Sequence, residues 1–145
     1  MAAASLRPAR MDDAAELARL CAQLGYPQAA AEFEARLRRV LASPDHPVLV
    51  ATHDDRALLG FVALERRLLL ESGEVVEIAA LAVDAQARRR GIARALLAAA
   101  EDWARRIGIA ELVVRSNVAR AESHPFYQGV GFRRAKTQHV YRKPA

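Results

Sequence analysis

Leu81-Ala82-Val83-Asp84-Ala85-Gln86-Ala87-Arg88-Arg89-Arg90-Gly91-Ile92-Ala93 reads as an apolar strand that ends in a polar turn and feeds straight into a long helix. Arg88, Arg89, Arg90 and Arg94 therefore crowd the start of that helix. A helix N-terminus carries partial positive charge and N–H groups with no internal acceptor, so Asp and Glu are its usual neighbours and arginines are opposed by the dipole. An anion is the natural missing partner. Gly91 has no side chain to hold a ligand off the backbone, and Ala93 is nearly as small. Successive N–H groups can then converge on one phosphate while the arginines reach its rim, which makes a pyrophosphate cradle. Without a ligand, the same residues are solvated arginines beside a glycine turn.

At 145 residues the chain suits one domain, residues 1–145, with a core that needs neither disulfides nor metal. The net charge is +5 and lysine occurs only as Lys136 and Lys143, so the basic balance is almost all arginine. Such a bias arises from genome composition as readily as from a ligand, and the chain lacks a recognisable DNA- or RNA-binding motif or aromatics interleaved on a basic face. No nucleic-acid partner is expected. Cys21 is the single cysteine, which excludes an internal disulfide and a thiolate-rich zinc site. It shares helical spacing with Leu17, Leu20 and Leu24 and reads as a small core residue. No apolar run approaches the roughly 20 residues that span a bilayer, and the N-terminus lacks a basic segment followed by an apolar one. The expectation is a soluble, cytoplasmic protein with no membrane partner.

Around the opening stretch the elements follow in order. Leu6 to Ala9 predicts a strand, and Asp12 or Asp13 is placed to cap a helix that uses Ala15, Leu17, Leu20, Cys21 and Leu24 for apolar contacts. Gln28 to Leu41 predicts a second helix, with Phe33, Leu37, Val40 and Leu41 at helical spacing. Val48 to Thr52 and Leu58 to Leu69 form a hairpin, and Val75 to Val83 is the strand entering the loop. The helix Ile92 to Ile107 buries Leu96, Leu97, Ala100, Trp103 and Ala104 and ends at Gly108 as a left-handed residue. Leu112 to Ser116 is a further strand. Ser123 or His124 caps a short helix stopped by Gly129-Val130-Gly131, and Phe132 opens a last extended segment. The sum is a mixed α/β sheet.

Arg88-x-x-Gly91-x-Ala93 behind a strand ending Val83-Asp84 resembles motif A of the GNAT superfamily of N-acetyltransferases, with Ala where Gly is common at the last position. Asn117, followed by His124-Pro125-Phe126-Tyr127-x-x-x-Gly131-Phe132, resembles motif B of the same superfamily at the expected distance behind motif A. The resemblance runs from Leu6 to Arg142, and from Gly73 to Lys143 it is most similar to the small aminoalkylphosphonate N-acetyltransferases. It implies a GNAT-like fold: a mixed, mostly antiparallel sheet with helices on both faces and splayed central strands. It also implies acetyl-CoA as cosubstrate, its pyrophosphate at Arg88, Arg89, Arg90, Gly91, Ile92, Ala93 and Arg94. The pantetheine arm would lie along the backbone of Leu81, Ala82 and Val83 as an added strand. In the family the two helices after the first strand help shape the acceptor pocket.

Tyr127 is the expected general acid and a further coenzyme contact. A phenol of ordinary pKa about 10 can protonate a departing thiolate of about 8.5 without itself ionising at neutral pH. Its other reading is a core aromatic beside Phe126. Glu77, in the apolar run Glu77-Ile78-Ala79-Ala80-Leu81, is the candidate base for an amine that arrives protonated, or else a solvated edge residue. Strict alternation points it the same way as Ala79 and Leu81; a bulge, as the family has in this strand, changes that count. Asn117 either bonds the coenzyme or caps a strand end. His124 reads as a helix cap, and His46, His53, His124 and His139 show no paired metal spacing, so no metal is expected. The leading function is acetyl transfer from acetyl-CoA to a primary amine on a small molecule by direct attack, with a homodimer compatible with it. The alternatives are a non-catalytic acyl-CoA-binding regulator and an acetyltransferase for a protein amine.

Overall fold

Runs of β-branched and apolar residues between turn signals build the sheet. In the computed structural model, which describes residues 4–116 and 118–145, the strands are β1 (Ser5–Pro8), β2 (Val48–Thr52), β3 (Leu58–Leu69), β4 (Gly73–Val83) and β5 (Leu112–Val114). They lie in the order β1-β2-β3-β4-β5, antiparallel except for the parallel β4–β5 pair. The helices are α1 (Ala14–Gln23), α2 (Ala30–Leu41), α3 (Ile92–Arg106) and α4 (Ser123–Gly129). Two compact units divide the chain, Met1–Val114 and Arg115–Ala145.

In the first unit, Leu17 and Leu20 of α1 and Phe33 and Leu37 of α2 share one core cluster with Val48, Val50, Phe61 and Ala82 of the sheet. Gly60 precedes Phe61 in β3 and so faces the other way. There a Cβ would meet the Ala82 carbonyl oxygen at 2.7 Å, Ile92 Cγ2 at 3.2 Å and Leu96 Cδ1 at 3.4 Å. So α1 and α2 cover one face and α3 rests on the opposite one. Gly60 is the residue that lets the first turns of α3 sit down on the sheet. Gly60→Ala is expected to destabilise the protein by about 1–3 kcal/mol through overpacking, read as a lower urea midpoint at unchanged m.

Most elements form where the local pattern predicts them, with five departures. Asp13 does not cap α1 with its side chain. It is buried at 4% exposure, accepts the Arg10 N–H at 2.9 Å, and takes both Arg7 terminal nitrogens at 2.8 Å. The Arg7 guanidinium holds the Asp13 carboxyl below the usual carboxylate range. Ala14, three residues before Leu17, takes the place on the buried stripe and Ala15 faces solvent. Trp103 is half-buried, because the α3 stripe through Leu96, Leu97, Ala100 and Ala104 already fills the contact. In the second unit, Glu122 precedes α4 and makes no side-chain cap, so neither Ser123 nor His124 caps it; His124 Nε2 lies 3.2 Å from the Val118 carbonyl oxygen instead. Finally, residues 133–145 form no strand among the described residues. A strand needs a partner backbone, and among the described residues of this unit the only regular element is a seven-residue helix. Gly108 has the expected left-handed conformation, at φ 77°.

Candidate active site

The turn between β4 and α3 is tethered at its start and open at its end. The Asp84 N–H donates to the Leu59 carbonyl at 2.7 Å, the Ala87 N–H to the Asp84 carbonyl at 2.8 Å, and Ala87 is buried. Beyond it Arg88, Arg89, Arg90 and Gly91 are exposed, with Arg89 at φ 63° and Gly91 at φ 77°. Two left-handed residues within three positions turn the chain sharply into the helix, and the second is the glycine that this conformation favours. A Cβ built on Gly91 meets nothing within 4 Å. Open space therefore stands before the helix terminus. The first helical hydrogen bond runs from the Ala95 N–H to the Gly91 carbonyl. The N–H groups of Ile92, Ala93 and Arg94 thus precede any internal acceptor, no side chain caps them, and no acidic residue lies in the first turn. Backbone donors, an unopposed dipole and Arg94 in the same turn make a site that suits a pyrophosphate.

Leu81, Ala82 and Val83 lead into this loop along a half-used strand. The β4–β5 ladder pairs Val76, Glu77 and Ile78 with Leu112, Val113 and Val114 and stops there, whereas β3 accompanies β4 up to Val83. From Ala79 to Val83, then, β4 has a neighbour in the sheet on one side only among the described residues. This is the splaying the fold class calls for, and an extended ligand can pair with such an edge as a strand would.

Where the ladder ends, the register slips. Ala63 pairs with Ala80 but Leu64 with Ile78, leaving Ala79 as the extra residue of a β-bulge. The bulge reverses the facing of everything before it. Ile78 joins the face of Leu64, while Glu77 joins the face of Ala80 and Ala82, on the α1–α2 side. This is the bulge that the family resemblance implies for this strand, and it replaces the strict alternation that groups Glu77 with Ala79 and Leu81. The solvated-edge reading is also excluded, since Glu77 lies on a strand flanked by β3 and β5 and is 8% exposed. Glu65 stands directly across from it in β3. Arg67 Nη1 lies 3.6 Å from Glu77 Oε2, and Arg67 Nε 3.5 Å from Glu65 Oε1. Neither Glu65 nor Arg67 is evident from the motifs. Their alternation in β3 shows that they share a face, but not that Glu77 joins it.

In the second unit, the spacing Tyr127-x-x-x-Gly131-Phe132 acquires a structural cause. Gly131 is left-handed at φ 101°, its N–H donates to the Gln128 carbonyl at 3.2 Å, and the Phe132 N–H donates to the Tyr127 carbonyl at 3.0 Å. That pair of bonds is a Schellman stop, and its accompanying apolar contact is Phe132 against Tyr127. The two rings meet edge-on at 5.7 Å, and Phe126 meets Tyr127 at 5.3 Å on the same pattern. Tyr127 is thus wedged by two aromatic edges that fix its ring. Burial pushes its phenol above the ordinary value, with Arg120 pulling the other way. The phenol therefore stays protonated at neutral pH.

Asn117 lies outside the described residues. Among the described residues no three of His, Cys, Asp and Glu come together as a metal site, and no helix is long and apolar enough to cross a membrane. Cys21 packs against the α1–α2 core, where burial raises its thiol pKa and so disfavours the thiolate.

The sequence pattern of the Acetyltransferase (GNAT) family matches residues 11–132, most of the chain. The chain belongs to the GNAT acetyltransferase family. This GNAT enzyme transfers the acetyl group of acetyl-CoA to a primary amine. It is 31% identical over 147 aligned residues to an aminoglycoside N(6')-acetyltransferase type 1 of Stenotrophomonas maltophilia, covering 98% of this chain and 94% of the relative. To the enzyme of the same name from Serratia marcescens it is 29% identical over 116 residues, covering 77% and 80%. Its fold matches AAC(6')-Iy in complex with the bisubstrate analogue CoA-S-monomethyl-acetylneamine, at TM-score 0.88 and 22% identity over 99% of this chain and 100% of the other. It also matches AAC(6')-Ih of Acinetobacter baumannii, at TM-score 0.86 and 19% identity over 98% and 99%. These relatives carry aminoglycoside names, and none of them supports the closer likeness to aminoalkylphosphonate enzymes.

Proposed function

We propose that this GNAT enzyme acetylates an amine of a polycationic amino sugar of the aminoglycoside type, by direct attack on the thioester. The carrying observation is the near-buried carboxylate of Glu77, set by the Ala79 bulge onto the α1–α2 face of the sheet with Glu65 across from it. Glu65 and Glu77 share the single guanidinium of Arg67, so the group keeps a net negative charge that complements a cationic acceptor and disfavours a phosphonate dianion. The names of the curated relatives support the same class.

In this reading the N–H groups of Ile92, Ala93 and Arg94 and the guanidiniums of Arg88, Arg89, Arg90 and Arg94 hold the pyrophosphate. The pantetheine pairs with the free edge of Leu81, Ala82 and Val83, where backbone N–H groups near Leu81 polarise the thioester carbonyl. Glu77 takes the proton from the incoming ammonium, and the freed amine forms the C–N bond as the C–S bond breaks. Tyr127 gives its proton to the leaving sulfur and is restored by the second proton lost from the attacking nitrogen, so the products are the amide, the CoA thiol and the proton held by Glu77. Desolvation raises a phenol, but it raises a thiolate brought beside it as well, so burial alone does not spoil the match. No acyl-enzyme is required, in keeping with the protonated, core-packed Cys21. The family match crosses from Met1–Val114 into Arg115–Ala145, which supports reading residues 1–145 as a single catalytic domain.

The test is release of free CoA thiol from acetyl-CoA across an acceptor panel. Aminoglycosides with a 6'-amine should be turned over, and their 6'-hydroxyl counterparts should be poorer by the loss of that site. Preferred turnover of an aminoalkylphosphonate, or of a peptide amine, would overturn the proposal.

A further inference from the structure

Asp84 is the last residue before the exposed half of the phosphate loop, and α1 grips it from 65 positions away in sequence. Arg19 Nη1 donates to Asp84 Oδ1 at 2.8 Å and Gln23 Nε2 donates to the same oxygen at 2.9 Å. Gln23 Oε1 in turn accepts the Ala85 N–H at 3.0 Å. Arg19 is itself fixed, with Nε and Nη2 on Glu16 at 2.7 and 3.0 Å and Nη2 on the Leu58 carbonyl at 3.1 Å, while Glu16 accepts the Leu58 N–H at 2.9 Å. Every nitrogen of this guanidinium is used. Two turns of α1 thus tie together the start of β3, the exit of β4 and the first residues of the loop.

We infer that Arg19, Gln23 and Asp84 form a clamp that pre-shapes the pyrophosphate loop, so that coenzyme affinity depends on side chains of α1. The inference rests on the cradle reading of Arg88 to Arg94 given above. Two physical effects support it. A loop that must place several N–H groups on one anion binds more tightly when its ends are already ordered. In addition, an unmatched Asp84 carboxylate would repel the incoming phosphates, and the Arg19 guanidinium neutralises it. These three are positioning residues, acting through the loop rather than on the coenzyme.

The experiment compares acetyl-CoA with S-acetylpantetheine, which carries the thioester and no pyrophosphate, as donors for Asp84→Ala, Gln23→Met and Arg19→Met. Gln23→Met leaves the Glu16–Arg19 pair intact and serves where the other variants fold poorly. The expected result is a kcat/KM for acetyl-CoA lowered about tenfold, the size of one hydrogen bond to a charged group, through KM rather than kcat. With S-acetylpantetheine kcat/KM should stay within about twofold of the parent's, and the Tm of Gln23→Met should stay close to the parent's because the bonds it removes are exposed and the Arg19 ion pairs remain. Equal losses with both donors would make the clamp merely structural and overturn the inference, as would no loss with either. A parent enzyme that uses the two donors equally well would instead remove the cradle reading itself.

Discussion

Tyr127→Phe is expected to lower kcat and kcat/KM for an accepted amine by roughly 10²- to 10⁴-fold, the usual contribution of a positioned general acid. Losing both parameters together marks an interaction made in the transition state. The substitution removes only the hydroxyl, so the edge-on contacts with Phe126 and Phe132 and the Schellman stop through Gly131 remain. Acetyl-CoA affinity and Tm should therefore change little. Because burial holds the phenol above its ordinary value, the parent's activity should not fall through phenol ionisation below about pH 10. Full activity in the folded Phe variant would remove Tyr127 from the chemistry.

Glu77→Gln should produce a loss of similar order, roughly 10²- to 10⁴-fold in kcat/KM for the acceptor, with acetyl-CoA binding nearly intact. Its signature is the pH profile. A carboxylate base works where carboxylates are ionised and the acceptor is still an ammonium, so the deficit is largest in that window and narrows at high pH as free amine accumulates. The acid limb of the parent profile should vanish in the variant, or shift. An unaltered profile would assign the Glu77 carboxylate to holding Arg67, which lies 3.6 Å away, and leave the base to another group.

The two predictions differ in how far each residue was legible. Tyr127 was marked by the spacing to Gly131 and Phe132, and the geometry supplies the cause: a helix stop that seats Phe132 on the tyrosine ring. Such a device is local, with every partner within five residues, so the sequence can carry it. Glu77 was marked only as a charge in an apolar run. Its facing depends on the slip at Ala79, and its neighbours Glu65 and Arg67 come from another strand. The clamp on Asp84 was invisible for the same reason, since nothing about Arg19 or Gln23 distinguishes them from other polar residues of α1.

By itself the sequence determined the apolar periodicities that make β2, β3 and α3, the left-handed stop at Gly108, and the strand–turn–helix that opens an anion site at Gly91. These follow from short-range sterics and from hydrogen-bonding groups a few residues apart. Only the tertiary structure decided that the last segment forms no strand among the described residues, that Asp13 is a buried partner of Arg7 rather than a cap, and that Glu77 faces the α1–α2 side. Each is a relation between distant parts of the chain. Register above all is a property of two strands together, and a one-residue bulge in β4 moves a carboxylate from one face of the sheet to the other without leaving a mark in the local pattern.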